Sequence, residues 1–118
     1  MVETTLQLIS SIDASKFPSN VVKEYYDVVR ELMGAILLLD GFKTYGEGAH
    51  KKLIEYLDQN YEQFAEHEIA LIDELRITRN KIAYDGFFVT PDYLERNKQA
   101  IEEVIAKLKR IVYEELGS

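Results

Sequence analysis

The sequence predicts an all-α protein, an up-down bundle of four or five helices. Apolar side chains recur every three or four residues through most of the chain, which is the spacing of one helix face. No stretch alternates apolar and polar residues over the length of a strand, and most glycines and both prolines fall between the periodic segments. With 118 residues, 47% of them hydrophobic, the chain can bury one core, and we expect a single domain over residues 1–118.

The first two helices are predicted over residues 2–15 and residues 19–40. Pro18 stands at the start of the second, and Gly41 supplies the left-handed residue that ends it. Apolar residues of this long helix spread over more than half of its circumference, so we place it at the centre of the bundle with surplus apolar surface for a second subunit. The charged residues left for water are Lys23, Asp27 and Arg30.

Three further helices complete the bundle. Gly46 and Gly48 separate the second helix from a third over residues 49–59, and a fourth is predicted over residues 63–85 with Gly86 as its stop. The sequence Thr90-Pro91-Asp92 then combines an N-cap, a proline at the first helical position and an acid in the first turn. These signals open a fifth helix that runs towards the end of the chain.

Two polar residues interrupt the apolar faces of the fourth and fifth helices. Arg79 follows Leu75 by four residues and precedes Ile82 by three, so it shares their face. Asn97 lies on the apolar face of the fifth helix, and both residues are about 13 Å from the intervening turn at 1.5 Å rise per residue. We therefore expect a polar site at this level, built around Arg79 and Asn97.

A permanently charged guanidinium on a buried face needs an anionic partner. One reading is structural, with Arg79 held by Asn97 and by a carboxylate of Glu24 or Glu31 on the long helix. The other reading is an anionic ligand such as phosphate. Both readings remain open from the residues alone.

The charge balance excludes an extended nucleic-acid surface. The net charge is −7, and neither half of the chain is basic. The local exception is Arg76, Arg79 and Lys81, three cations within six residues. Such a spot is large enough to hold one or two phosphates but does not form a track along a polynucleotide.

Several site classes are not expected. Cysteine is absent, which excludes disulfides and thiolate metal sites. Glu47 and His50 have the Glu-x-x-His spacing of di-iron bundles, but such sites need two of these motifs, so we predict no metal and no cofactor. No apolar run reaches about 20 residues and the first residues do not resemble a signal peptide, so we expect no membrane contact and a cytoplasmic location.

The stretch Leu75 to Tyr84 resembles the signature of the HEPN superfamily, which is a family of all-helical domains. Arg79-Asn80 followed by Tyr84 is similar to its Arg-x(4 to 6)-His motif, with tyrosine in the histidine position. The resemblance extends upstream through residues 25–42 and through the Gly48-Ala49-His50 segment, and downstream through Thr90-Pro91 into the last helix. It covers roughly residues 19–113.

The resemblance implies a homodimer with a site across the subunit interface. In HEPN ribonucleases the arginine and histidine of two subunits line a cleft, where the histidine assists attack of the ribose 2′-hydroxyl on the adjacent phosphate without metal. On this pattern Arg79, Asn80 and Tyr84 occupy the catalytic positions. Tyrosine is ordinarily protonated at neutral pH, so it donates a hydrogen bond but does not readily act as a general base.

Three functions follow from these observations. We favour a HEPN-like module of toxin-antitoxin type that binds a nucleotide or RNA phosphate or docks a minimal nucleotidyltransferase. Its ligand-binding residues would be Arg76, Arg79, Asn97 and His50. For His50, a helix cap or a backbone contact is the first expectation and a ligand contact the second. The alternatives are a metal-independent endoribonuclease, with Arg79 stabilising the phosphorane, and a purely structural dimeric bundle.

Overall fold

A computed structural model describes residues 2–13, 16–42 and 48–117 of the chain. These residues form α1 (Val2–Ser11), α2 (Pro18–Leu39), α3 (Ala49–Asn60), α4 (Glu66–Asp85) and α5 (Pro91–Gly117). The described ranges contain no β-strand, which confirms the all-α prediction. None of the described helices is long and apolar enough to cross a lipid bilayer.

α1 ends earlier than predicted. The helix stops at Ser11 instead of residue 15, and the predicted positions 14 and 15 lie outside the described residues. The hydroxyls of Ser10 and Ser11 each donate to the carbonyl three residues earlier, at 2.7 Å. Side-chain bonds of this kind compete with the helical backbone pattern, so a serine pair favours a helix end here.

The starts of α4 and α5 have distinct capping bonds. α4 begins at Glu66, not at residue 63, because the Glu68 carboxylate accepts a 2.9 Å hydrogen bond from the N–H of Ala65, the residue before the helix. α5 begins as predicted, since the hydroxyl of Thr90 accepts a hydrogen bond from the N–H of Tyr93 at 3.2 Å.

Glycines in left-handed backbone conformation separate the helices at three boundaries. Their φ angles are +91° for Gly41, +79° for Gly48 and +67° for Gly86. After Gly41, the N–H of Phe42 donates to the carbonyl of Leu37 at 3.0 Å, which closes the end of α2. The predicted helix stops are confirmed at Gly41 and Gly86, whereas the predicted break at Gly46 lies outside the described residues.

α2 is the central helix and packs against each of the other four, most extensively against α5. Its apolar face is already covered within one chain, and the exposed large apolar residues of α2 are Leu38 and Leu39 at its end. The surplus surface that we expected along α2 for a second subunit is therefore not present. The buried residues of α2 are Pro18, Val21, Val22, Tyr25, Tyr26, Val28, Val29, Leu32, Met33, Ile36 and Leu37.

α4 packs beside α2 and also contacts α3 and α5. It contributes three buried side chains, Glu68, Ile72 and Leu75. Ile82, predicted to lie in the core, is only partly buried. α4 and α5 contact each other less than either contacts α2, because both use their apolar residues to cover the central helix.

An ion pair between a buried carboxylate and a partly exposed ammonium joins α4 to α5. Glu68 is a buried carboxylate, and the Lys107 ammonium lies 2.6 Å from its Oε1 atom and 2.9 Å from the carbonyl of Gln63. Burial alone would raise the pKa of Glu68, but the hydrogen bonds from Lys107 and from the Ala65 N–H outweigh it and lower the pKa. The pair therefore favours the ionised carboxylate in the folded state.

A second polar cluster joins the ends of α2 and α5 to α3. The hydroxyls of Tyr56 and Tyr61 donate to the Asp40 carboxylate at 2.7 and 2.6 Å, and Tyr61 also lies 2.6 Å from Glu115. Burial would raise the pKa of Asp40, but the hydrogen bonds from Tyr56 and Tyr61 outweigh it and lower the pKa. The cluster fixes the ends of α2 and α5 against α3.

Gly34 lies in the middle of α2, at a position where a larger residue would fit. A methyl group at this position would meet nothing within 4 Å, and the helix is unbroken there. Gly34→Ala is expected to raise the free energy of unfolding by about 0.5–1 kcal/mol, because alanine loses less backbone entropy in a helix. Urea denaturation measures the change. Gly41→Ala is the matched control and is expected to lower stability, since its φ of +91° disfavours a side chain.

Candidate functional site

Six polar side chains from three helices converge on one region, which we name the arginine cluster. The cluster comprises Tyr26, Asp27 and Arg30 on α2, His50 on α3, and Arg76 and Arg79 on α4. The rings of Tyr26 and His50 lie 6.1 Å apart, and Arg79 Nε lies 3.8 Å from Asp27 Oδ1. The charges of all three arginines act on both Tyr26 and His50.

Helical spacing explains why these residues meet. Tyr26 and Arg30 are four residues apart on α2, and Arg76 and Arg79 are three apart on α4, so each pair lies along one side of its helix. α2 packs against both α3 and α4, and those two helices also contact each other. The three helices therefore bring the cluster together at their common junction.

The ion pair between Arg79 and Asp27 is open. Its Nε to Oδ1 distance of 3.8 Å exceeds the roughly 2.7–2.9 Å of a charged hydrogen bond. Both atoms are buried, and neither has a hydrogen-bond partner. The side chains as a whole are 24% and 27% exposed, so the remainder of each group reaches solvent. The charges of Arg79 and Asp27 attract each other, but no hydrogen bond joins the two side chains.

Tyr26 is the most deeply buried member of the cluster. Its side chain is 0% exposed, and its hydroxyl has no hydrogen-bond partner. Burial raises the pKa of Tyr26 to about 12, although the charges of Arg76, Arg30 and Arg79 oppose the increase. The phenol thus stays protonated at neutral pH. An unsatisfied buried hydroxyl costs roughly 1–3 kcal/mol, which an acceptor in this region would recover.

His50 is a neutral imidazole at neutral pH. Partial burial lowers its pKa, the positive charges of Arg30, Arg79 and Arg76 lower it further, and only Asp27 opposes. The expectation that His50 caps its helix is wrong, since Gly48 precedes α3 without any side-chain cap and the His50 ring packs on Tyr26. A neutral imidazole beside three arginines is able to accept a proton or a hydrogen bond.

The side chain of Arg76 is held in place by a hydrogen bond within α4. Its Nε donates to Asp73 Oδ1 at 2.9 Å on the same helix, and its side chain is 19% exposed. The interaction holds the guanidinium along the flank of α4 that faces the cluster. Arg76 was predicted as a ligand-binding residue, and the structure places its charge within the influence of Tyr26 and His50.

Asn97 does not join Arg79, contrary to the prediction. Its amide group donates to the carbonyl of Tyr93 at 2.8 Å, one turn earlier on α5. The carboxylate that pairs with Arg79 is Asp27, and not Glu24 or Glu31. The physical reason is the rotation of α4, which turns Arg79 towards α2, whereas α5 meets α4 through Tyr93 and Glu74, whose hydroxyl and carboxylate are 2.7 Å apart.

Asn80 and Tyr84 lie on α4 outside these contacts. Asn80 is partly buried, with no side-chain hydrogen bond among the described residues, and Tyr84 is 80% exposed near the end of the helix. The structure thus brings Arg76, Arg79 and His50 together but leaves Asn80 and Tyr84 beside the cluster. Their predicted catalytic role remains a prediction.

Sequence reasoning missed the α2 half of the cluster. We assigned Asp27 and Arg30 to solvent, and Tyr26 was not considered as a site residue. A signal was available, because Asp27 and Arg30 flank the apolar positions Val28 and Val29 and adjoin a tyrosine that the helix has to bury. No group of three or more His, Cys, Asp or Glu with metal-binding geometry occurs in the described ranges.

Comparison with known proteins adds no assignment to this geometry. No protein-family model, no curated protein and no solved structure matches the chain. The features that indicate a function are therefore the arginine cluster and the sequence motif.

Proposed function

We propose that the arginine cluster binds a phosphate group of a nucleotide or of RNA, and that the chain is a HEPN-like binding module. The observation that carries the proposal is the pair of buried donors without an acceptor, Arg79 Nε and the Tyr26 hydroxyl, near the two other arginines of the cluster. Phosphate oxygens are strong acceptors that suit guanidinium groups. A small movement of Arg79 away from Asp27 would allow a phosphate oxygen to accept from both donors.

The charges favour a small anion. The three arginines of the cluster outnumber the two carboxylates that pair with them, Asp27 and Asp73. His50 adds no charge while its pKa is lowered. Because the whole chain carries −7, the attraction is confined to this region, and it suits one or two phosphates instead of a long polynucleotide.

The cluster also contains a buried acceptor that receives no hydrogen bond, and this favours a nucleotide over inorganic phosphate as the ligand. Asp27 Oδ1 is buried without a hydrogen-bond donor. A ribose hydroxyl is a donor that would satisfy this carboxylate while the phosphate contacts the arginines. A ligand with both a phosphate and a ribose hydroxyl would therefore satisfy more hydrogen-bonding groups of the cluster than inorganic phosphate would.

The partner surface in this proposal lies at the end of α4 and in the loop that follows. Large side chains are exposed there, namely Tyr84, Phe87 and Phe88, and Ile77 is exposed about two turns earlier on α4. Exposed aromatic groups of this number favour a protein contact. We place the second copy of a homodimer on this surface, with a minimal nucleotidyltransferase as the other partner of the module.

A metal-independent endoribonuclease is the second candidate, and His50 is the observation that favours it. A neutral imidazole near three arginines combines a proton acceptor with groups that stabilise a phosphorane. In this version His50 takes the general-base role that tyrosine in the motif does not readily fill. Cleavage of a short RNA by the wild type, lost in His50→Ala, would support it.

A titration tests the binding proposal. Fluorescein-labelled hexanucleotide RNA and unlabelled ATP as competitor are the probes, at about 50 mM salt because phosphate contacts weaken as salt rises. Arg79→Met is expected to reduce affinity at least about tenfold. Arg110→Met, an exposed arginine on α5, is the matched control and should leave affinity unchanged.

Thermal melting of the same variants separates binding from structure. If Arg79 is only a structural partner of Asp27, the wild type binds neither RNA nor ATP. Arg79→Met then lowers stability by a few kcal/mol, because a partly buried carboxylate loses its partner. That combination would contradict the binding proposal and leave the structural bundle.

The imidazole of His50 reports on the cluster directly. Its pKa is expected below 6.5 in the free protein and should rise when ATP neutralises the arginines. Because the folded pKa is lowered, the contribution of His50 to stability is present above pH 6.5 and is lost as pH falls through the folded pKa. NMR titration of the ring protons measures this, with exposed His67 as the reference signal. An ATP complex that leaves the His50 titration unchanged would place the ligand elsewhere.

A further inference from the structure

A cleft of about 630 Å³ lies between α1, α2 and α5, on a different side of α2 from the arginine cluster. Tyr25 lines the cleft and Tyr26 belongs to the cluster, and adjacent residues point about 100° apart around a helix. The volume falls within the range of about 300–1,000 Å³ that is typical of small-molecule sites. Apolar side chains form most of its wall: Leu6, Ile9, Ile12, Val21, Leu94 and Ile105.

The cleft exists because α1 stands away from α5. α1 packs against α2, and the backbones of α1 and α5 do not come into close contact along their described lengths. An ion pair crosses the gap, with Lys109 Nζ 2.6 Å from Glu3 Oε1. Most of the apolar residues along this gap belong to the core, and Ile9, Val21, Leu94 and Ile105 are each at most 7% exposed. An apolar group in the gap would add contacts with the side chains that line it.

Two polar groups face the cleft with weak partners. The Tyr25 side chain is 4% exposed, and its hydroxyl lies 3.5 Å from Glu102 Oε1, which is a long hydrogen bond. Burial together with the Glu102 charge raises the pKa of Tyr25 to about 12, so the hydroxyl persists at neutral pH. Among the residues that the structure describes, the other partner of Glu102 is Lys98, at 4.0 Å. A hydroxyl oxygen and a carboxylate are therefore both able to accept from a ligand.

The uncompensated charge around the cleft is negative. Lys109 is held by Glu3, and Lys98 is the remaining basic residue of the lining. Glu95 and Glu102 oppose it, and Glu95 has no ion-pair partner in the described structure. A carboxylate ligand would be repelled by the two carboxylates and attracted by one ammonium. A cationic ligand would be attracted by the two carboxylates and repelled by that ammonium.

We propose that this cleft binds a small amphipathic amine. The apolar body of the ligand lies between α1 and α5, and its ammonium group donates to the Glu102 carboxylate and to the Tyr25 hydroxyl oxygen. This site is independent of the arginine cluster, because the two share no residue and bind ligands of opposite charge. The overall charge of −7 also attracts the cation from solution.

Three probes of matched shape test the proposal: 4-phenylbutylamine, 4-phenylbutyrate and 4-phenylbutan-1-ol. Calorimetric titration of the full chain is expected to show saturable binding of the amine and at least about fivefold weaker binding of the acid and the alcohol. The amine should also raise the melting temperature. Equal affinity for the acid or the alcohol, or no binding of the amine at about 5 mM, would overturn the proposal.

Two pairs of variants locate the site. Glu102→Gln is expected to weaken amine binding about three- to tenfold, whereas Glu103→Gln, an exposed neighbour outside the cleft, should not. Ala106→Phe adds bulk at the exposed edge of the cleft and should reduce binding further, with Ala70→Phe on α4 as its control. Equal effects of a variant and its control would place the amine outside this cleft.

Discussion

Replacement of Leu108 by alanine is expected to lower the free energy of unfolding by about 2–5 kcal/mol. Leu108 is 0% exposed on α5, the helix with the most extensive contact to α2. The loss combines the transfer of apolar atoms to the core with the cavity that remains after truncation. For a chain of 118 residues this corresponds to a melting temperature lower by roughly 10 °C or more.

Leu116→Ala is the matched control for this prediction. It removes the same atoms from the same helix at a position that is 65% exposed, so the expected change is within about 0.5 kcal/mol. Urea denaturation monitored by circular dichroism measures both variants. Similar losses for the two leucines would mean that α5 does not pack on α2 through Leu108.

Truncation of Glu68 has the second largest expected effect. Glu68→Ala removes the carboxylate that accepts from Lys107 and from the N–H of Ala65, so we expect a loss of about 2–3 kcal/mol at pH 7. The Lys107 side chain is 34% exposed, and partial hydration of its ammonium places the loss near the lower end of values for buried pairs. Glu66→Ala, exposed in the same first turn, should change stability by less than about 0.5 kcal/mol.

The effect of Glu68 depends on pH in a defined direction. Its pKa is lowered in the folded state from 4.5, because the bonds from Lys107 and Ala65 outweigh burial. The stability contributed by its charge is therefore fully present above pH 4.5 and is lost as pH falls through the folded pKa. Denaturation at pH 7, 5, 4 and 3 should show the gap between wild type and Glu68→Ala narrowing below pH 4.5. A gap that stays constant to pH 3 would assign the loss to packing.

Helix starts and ends were predicted correctly where they depend on residues close together in the sequence. Thr90 and Pro91 start α5 as predicted, and Gly41 ends α2 in a left-handed conformation. The misplaced end of α1 has a local cause as well, the side-chain bonds of Ser10 and Ser11. These bonds compete with a continuing helix, and periodicity of apolar residues does not report such competition.

The site was only half predictable. Arg79 was identified as anomalous because a permanent charge on an apolar face requires a partner, and the structure pairs it with a carboxylate of α2. The identity of that carboxylate, Asp27, depends on how α4 is rotated against α2. The sequence distance between these residues is too long for any helical spacing rule, and Asn97 was wrongly chosen because it lies at the right height on another helix.

The sequence by itself determined the all-α class, the order of the helices and the unusual position of Arg79. These features depend on backbone hydrogen bonds and side-chain spacing within four or five residues. Tertiary structure alone decided that α2 packs against all four other helices, that His50 and Tyr26 meet beside three arginines, and that α1 stands away from α5. These features arise from packing between residues far apart in the chain, where the rotation of one helix changes which side chains it presents to another.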